Sequence, residues 1–197
     1  VATLTWCYSM RGIDVVASLN ISNTVVNLFN VMFIAFGSGV SVVIGQMLGA
    51  NELQKAKEAA PKLIFFSAML CVVVGTVMAC FSGLFPLAYN TSDNVRSLAS
   101  VFILISAVLM PIHGILHCTY FIIRSGGKTL ITFLFDCGFS WGVSVPLAYC
   151  LANFTDIEII PLYLCCQCVE AVKCVIGLIL IKKGVWLSNI VSDKKTA

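Results

Sequence analysis

Apolar residues run almost unbroken through five stretches of this chain, and its polar residues crowd into the short gaps between them. The stretches cover about 15–48, 62–88, 95–123, 130–154 and 157–181. An α-helix rises about 1.5 Å per residue, so about 20 apolar residues cross a hydrocarbon core about 30 Å thick. Each stretch meets that length and is predicted to be a transmembrane helix. A shorter apolar segment at 1–10 reads as the end of a sixth helix whose beginning is cut away, which makes the chain a fragment. Residues 185–197 form a polar tail after the last span.

The first stretch is too long for one upright crossing. Residues 15 to 48 would extend about 50 Å as a helix, so it must tilt, leave the core at one end, or break. Its polar positions are ordered: Asn20, Asn23, Asn27 and Asn30 recur at intervals of three and four, which puts them on one helix face bordered by Thr24. Amides facing lipid would be costly. The row must therefore face a wet cavity or hydrogen-bond to another helix. Further along, Gly37, Ser41, Gly45 and Gly49 recur every four residues, a small-residue row that lets a second backbone come close. Gly37 and Gly39 also permit a bend. The row ends in IGQMLGAN (44–51), and the next residues, 52–62, predict a charged helix lying along the membrane surface before the second span.

Composition narrows the class. The 197 residues are 59% hydrophobic and 11% charged, where soluble domains carry about 25% charged residues. Such a chain cannot cover a water-facing surface, and a polytopic membrane protein is the class that fits. The charges also orient it. With the C-terminus inside, Lys55, Lys57, Lys62, Arg124, Lys128, Lys182, Lys183, Lys194 and Lys195 all fall on the inner side. Arg11 and Arg96 fall outside, and Lys173 lies within the last span. That bias predicts a cytoplasmic C-terminus. Most of the ten cysteines sit inside apolar runs and behave as small hydrophobes there. The run CCQC at 165–168 lacks a matching second pair for a metal site.

Charges inside the spans mark the candidate chemistry, because intramembrane ionisable groups are expensive. Asp136, in FLFDCGFSWG, is either a proton- or cation-carrying group or a structural hydrogen-bond partner. Glu170 and Lys173 stand three residues apart on one face of the last span and are expected to pair with each other. His113 and His117, at i and i+4, read as cavity lining or core, since no third ligand is near in sequence. Pro111 and Pro146 should kink their spans. RSGGKT at 124–129 lacks the phosphate-loop spacing GxxxxGK[ST] and joins two hydrophobic helices. Neither nucleotide nor nucleic acid is expected as a partner, and no catalytic set or metal site emerges.

Three stretches together carry a resemblance. SLNISNTVVNLFNVMFIAFGSGVSVVIGQMLGANELQKAKEAA (18–60), FIIRSGGKTLITFLFDCGFSWGVSVPLAY (121–149) and EAVKCVIGLILIKKGVWLSNIV (170–191) resemble, in order and spacing, the second half of the multidrug and toxic compound extrusion (MATE) family. The resemblance implies an all-α polytopic bundle, residues 1–184 forming one six-helix lobe of a two-lobe plasma-membrane transporter. It implies export of small amphipathic or cationic organic compounds by antiport, with Na⁺ or H⁺ as coupling ion and no other cofactor. The partner would be a missing N-terminal lobe of the same polypeptide, and one lobe alone should not transport. Some members carry a coupling aspartate in the fourth helix of this lobe, but the matching region VFILISAVLMPIHGILHCTYFII (101–123) has no carboxylate. Coupling would then run through the missing lobe, or Asp136 and Glu170 stand in. A lipid-linked saccharide flippase of the same superfamily and a non-transporting scaffold or channel subunit are the alternatives. The first should show arginines deep within its spans, and none is present there, Arg96 standing at the outer end of its stretch.

Overall fold

The computed structural model describes Tyr8, residues 12–154 and residues 158–187. The initial stub, apart from Tyr8, the loop at 155–157 and the tail from 188 onward lie outside the described residues. Among the described residues five helices are long and apolar enough to cross a membrane: α1 (Ile13–Gly49), α2 (Leu53–Cys80), α3 (Asp93–Ser125), α4 (Leu130–Asn153) and α5 (Ile159–Lys183). A 3₁₀ turn, Phe85–Ala88, lies between α2 and α3. Large apolar side chains such as Leu28, Val31, Phe65, Phe66, Val108 and Trp141 are each more than half exposed on the bundle's outside. In water such a surface would aggregate, whereas in lipid it is the expected exterior. The chain is a polytopic membrane helical bundle.

The central helix is α3, which packs along α1, α2 and α5. Small residues let α2 approach it. A Cβ on Gly75 would strike the Ala107 carbonyl, and one on Gly114 would strike the Cys71 sulfur. Ser67 Oγ donates to the Gly114 carbonyl at 3.1 Å in the same seam, and at the other end of the bundle Ser18 Oγ donates to the Val95 carbonyl at 3.1 Å, tying α1 to α3. Close helix backbones joined by hydroxyl–carbonyl bonds are how membrane bundles hold together without a hydrophobic drive between helices.

Several expectations change at this level. The first span does not break: α1 is one helix of 37 residues through the Gly37–Gly39 pair. In the small-residue row only Gly37 is closely packed, against the Phe121 ring of α3; Gly45 and Gly49 face open space, and Ser41 is half-buried. The charged stretch at 52–62 is not a separate surface helix. It is the first part of α2, which runs on from Leu53 through Pro61 to Cys80. The second span ends at Cys80 rather than 88, in a turn over 81–84 carrying Gly83 and leading to Pro86.

Of the two prolines expected to kink their spans, Pro111 lies inside the single helix α3. Pro146 sits differently. The α4 span is wound as a π-helix over Leu134–Gly138 and again over Ser140–Ser144, and returns to α-geometry at Val145–Phe154. Pro146 has no N–H to give the preceding turn, which removes one α-bond just where the widened turns end.

One end of the bundle gathers the C-terminal ends of α1, α3 and α5 with the N-terminal ends of α2 and α4. Leu48, Ala56, Ala60, Ile122 and Trp186 form one buried cluster there. Trp186, assigned by sequence to the tail, is 1% exposed. Its backbone abuts Gly126, and its Nε1 donates to the Ile181 carbonyl at 3.2 Å. Gly184, at φ 68°, ends α5 in the left-handed conformation that turns the chain back.

Candidate functional site

Three helices each present a polar row at helical spacing, and the rows meet. From α1 come Asn23, Asn27 and Asn30; from α3 come Ser106, Met110, His113 and His117; from α5 come Tyr163 and Gln167. With Tyr8, Leu19 and Val26 they line a cavity of about 250 Å³. Asn20 shares the asparagine face but lies a turn nearer the helix start, exposed and outside the cavity wall. Its carbonyl accepts from Thr24 Oγ1 at 2.8 Å.

Tyr163 anchors the α3–α5 wall. Its hydroxyl shares a hydrogen bond with Ser106 Oγ at 3.0 Å and accepts from Gln167 Nε2 at 3.1 Å. Its ring packs at 4.8 Å from Phe102 and 6.0 Å from Tyr8. A polar network whose members satisfy one another holds its shape, so this side of the cavity is preformed. Asn23, Asn27 and Asn30 opposite make no side-chain hydrogen bond among the described residues, which leaves their amides to turn toward a guest. Amide oxygens, hydroxyls and aromatic faces together suit an organic cation with apolar parts.

A charged cluster adjoins the cavity. Lys173 Nζ donates to Asp136 Oδ1 at 2.7 Å, joining α5 to α4. This corrects the expected Glu170–Lys173 pair, because helix spacing cannot reveal a carboxylate supplied by a neighbouring helix. Lys173 also lies 5.4 Å from the centre of the Phe135 ring. The lysine side chain is 7% exposed and the aspartate 52%. Asp136 opens on its other side into a second hollow of about 210 Å³ bordered by Tyr120, Arg124, Thr132 and Cys137. Glu170 is half-buried and makes no salt bridge among the described residues, although the charges of Lys173 and Asp136 reach it. His113 and His117 also lie in the field of Lys173. Among the described residues no three His, Cys, Asp or Glu side chains come together as a metal site.

The structure thus unites Asn23, Asn27 and Asn30 at the cavity and sets Asp136 and Glu170 around Lys173. The residues that sequence reading missed are Ser106, Tyr163 and Gln167. Their signal was present: 106, 110, 113 and 117 repeat the four-three-four interval of a helix face, and 163, 167 and 170 begin the same pattern. Tyr and Ser are common enough in spans that the pattern stands out only once the His pair is taken as part of it.

The MatE family model matches residues 1–150. The chain belongs to the MatE family. Among curated relatives, it is 23% identical over 76% of its length to the probable multidrug resistance protein YoeA of Bacillus subtilis. It is 23% identical over 74% of its length to the probable multidrug resistance protein NorM of Haemophilus ducreyi. A vertebrate relative, multidrug and toxin extrusion protein 1 of Danio rerio, is 26% identical over 58% of the chain. The aligned parts span 32%, 31% and 20% of those relatives, so this MatE chain covers about a third of their length or less. No solved structure matches the chain.

Proposed function

We propose that this MatE chain forms one lobe of a two-lobe secondary transporter that exports amphipathic, cationic organic compounds by antiport with Na⁺ or H⁺. The observation that carries the reading is the cavity itself. Three helices turn amides, hydroxyls and imidazoles inward within a bundle whose exterior is apolar, and a charged cluster stands beside them. A structural bundle has no need for such a lining, because polar groups in spans are costly unless satisfied or used. Of the described residues lining the cavity, none is Arg or Lys. A lipid-linked phosphate would want such cations, so the lining favours a cationic guest.

The second lobe is supplied by a further part of the same polypeptide. The limited share of each relative that the chain covers supports this, as does the need of alternating-access transporters for two halves around one site. Asn23, Asn27 and Asn30 contribute to the substrate wall, and Asp136 and Glu170 are the carboxylates placed to carry the coupling ion in this lobe. The lysine-rich end of the bundle, with Lys55, Lys57, Lys62, Arg124, Lys128, Lys182 and Lys183, faces the cytoplasm and takes the C-terminus with it.

Proteoliposomes holding the full polypeptide test the reading. An inwardly directed Na⁺ or proton gradient should drive efflux of ethidium, and Asn27→Leu should raise the KM for the dye about tenfold, the loss of one good polar contact. Glu170→Gln and Asp136→Asn identify the coupling group by which one flattens the dependence on the ion gradient. If neither gradient moves a cationic dye, the proposal fails.

A further inference from the structure

A groove of about 470 Å³ lies between the N-terminal part of α2 and the C-terminal part of α5, at the lysine-rich end of the bundle. Its walls are apolar, with Phe65, Ala68, Ile115 and Leu178, and Lys57 and Lys182 stand on its two sides. Phe65 is 66% and Leu178 38% exposed. Lys57 and Lys182 are exposed and make no hydrogen bond or salt bridge among the described residues, whereas nearby Lys55 is held by Glu52 at 2.7 Å. Trp186 borders the groove and is fixed by its bond to the Ile181 carbonyl. The hollow is preformed, apolar within and cationic at its rim.

The position of the groove separates it from the polar cavity. Along α3, at about 100° per residue, Ser106, Met110, His113 and His117 point one way and Ile115 points about 170° from their mean direction. The cavity and the groove therefore lie on opposite sides of the central helix. A second lobe that closes the cavity leaves the groove on the side turned to lipid.

We infer that this groove is a binding site for an anionic phospholipid, with the phosphate between Lys57 and Lys182 and an acyl chain along Phe65, Ala68 and Leu178. Basic residues at the ends of transmembrane helices attract anionic headgroups, and basic pockets between helices hold them. The charge and the apolar wall point to the same occupant, since a free phosphate would leave the wall unused and a zwitterionic lipid would bring an ammonium group of its own beside two lysines. The inference rests on the chain spanning a membrane and on the two-lobe arrangement proposed above, in which the second lobe covers the cavity side, and not on which compound or ion is moved.

The test is native mass spectrometry of the full polypeptide in detergent, equilibrated with equal amounts of phosphatidylglycerol and phosphatidylcholine. The wild type should retain phosphatidylglycerol in preference. K57Q/K182Q should lower that preference about thirtyfold, the effect of removing two surface lysines, while K62Q/K183Q, with the same change in charge but outside the groove, should leave it unchanged. A68F, which fills the groove and keeps both lysines, should also abolish the preference. Equal losses in the two double variants would mean diffuse surface charge, and an unaltered A68F would mean that lipid sits elsewhere; either overturns the inference. Displacement of the lipid by excess inorganic phosphate, or a dimeric mass that A68F dissolves, would assign the groove to another occupant and overturn it too. Ethidium efflux in proteoliposomes is read separately, so failure here leaves the transport proposal standing.

Discussion

Lys173 shows how one side chain can organise a region of a membrane protein. It is buried, its ammonium meets the Asp136 carboxylate at 2.7 Å, and Asp136 itself is half open to a hollow. The two partners are therefore not equivalent. Asp136→Asn takes from a buried cation the carboxylate in direct contact with it and leaves only the more distant Glu170, while Lys173→Met leaves a carboxylate that can still be hydrated. Breaking a buried pair costs about 3–5 kcal/mol when the survivor is buried, so Asp136→Asn should lower the unfolding midpoint in detergent more than Lys173→Met. The double variant should lose less than the sum, as expected for groups in direct contact. Equal effects of the two single changes would contradict the asymmetry in burial. The pairing was not legible in the sequence, where Glu170 was the nearest acid by helical spacing. Spacing ranks partners within a helix and says nothing of what the next helix brings.

At the scale of elements, α1 separates two kinds of small residue that look alike in the sequence. Gly37 and Gly45 belong to one four-residue row, yet only Gly37 meets the neighbouring helix, through Phe121. A Gly37→Leu change should disturb the α1–α3 contact and destabilise the protein by about 1–3 kcal/mol, the usual penalty of overpacking. Gly45→Ala, in open space, should leave the melting temperature unchanged or raise it slightly, since Ala favours helix by about 0.5–1 kcal/mol over Gly. Thermal unfolding of the purified protein separates the two, and a Gly45→Ala as damaging as Gly37→Leu would show that another surface packs on the rest of the row. The α4 helix carries the other element-scale surprise. Its π-wound turns place Asp136 on a widened stretch of backbone, and nothing in the residue types of LFDCG or SWGVS announces that winding. Only the downstream Pro146 hinted at a disturbed helix.

For the molecule as a whole, the sidedness of charge becomes geometric. The helix ends bearing Lys55, Lys57, Lys62, Arg124, Lys128, Lys182 and Lys183 converge on one side, while Asp14, Asp93, Arg96 and Glu158 mark the other. If the first side faces the cytoplasm, a cysteine at Lys128 should resist an impermeant maleimide added to intact cells and react after permeabilisation. A cysteine at Asp93, whose side chain is 96% exposed, should react from outside, with the native exposed cysteines replaced by serine in both cases. The reverse labelling pattern would invert the topology.

The sequence by itself determined the class of protein, the number and approximate limits of its complete spans, and the face carrying the asparagines. These follow from hydropathy and helical periodicity, which act within a single segment and need no knowledge of neighbours. Only the tertiary structure decided which polar rows face one another. It joined Asn23, Asn27 and Asn30 to Ser106, His113, Tyr163 and Gln167, left Asn20 outside, and gave Lys173 to Asp136 instead of Glu170. The physical reason is that burial and charge pairing are settled between helices. Close approaches such as Gly75 against Ala107 fix how each helix is rotated, and that rotation selects which of its polar groups look inward.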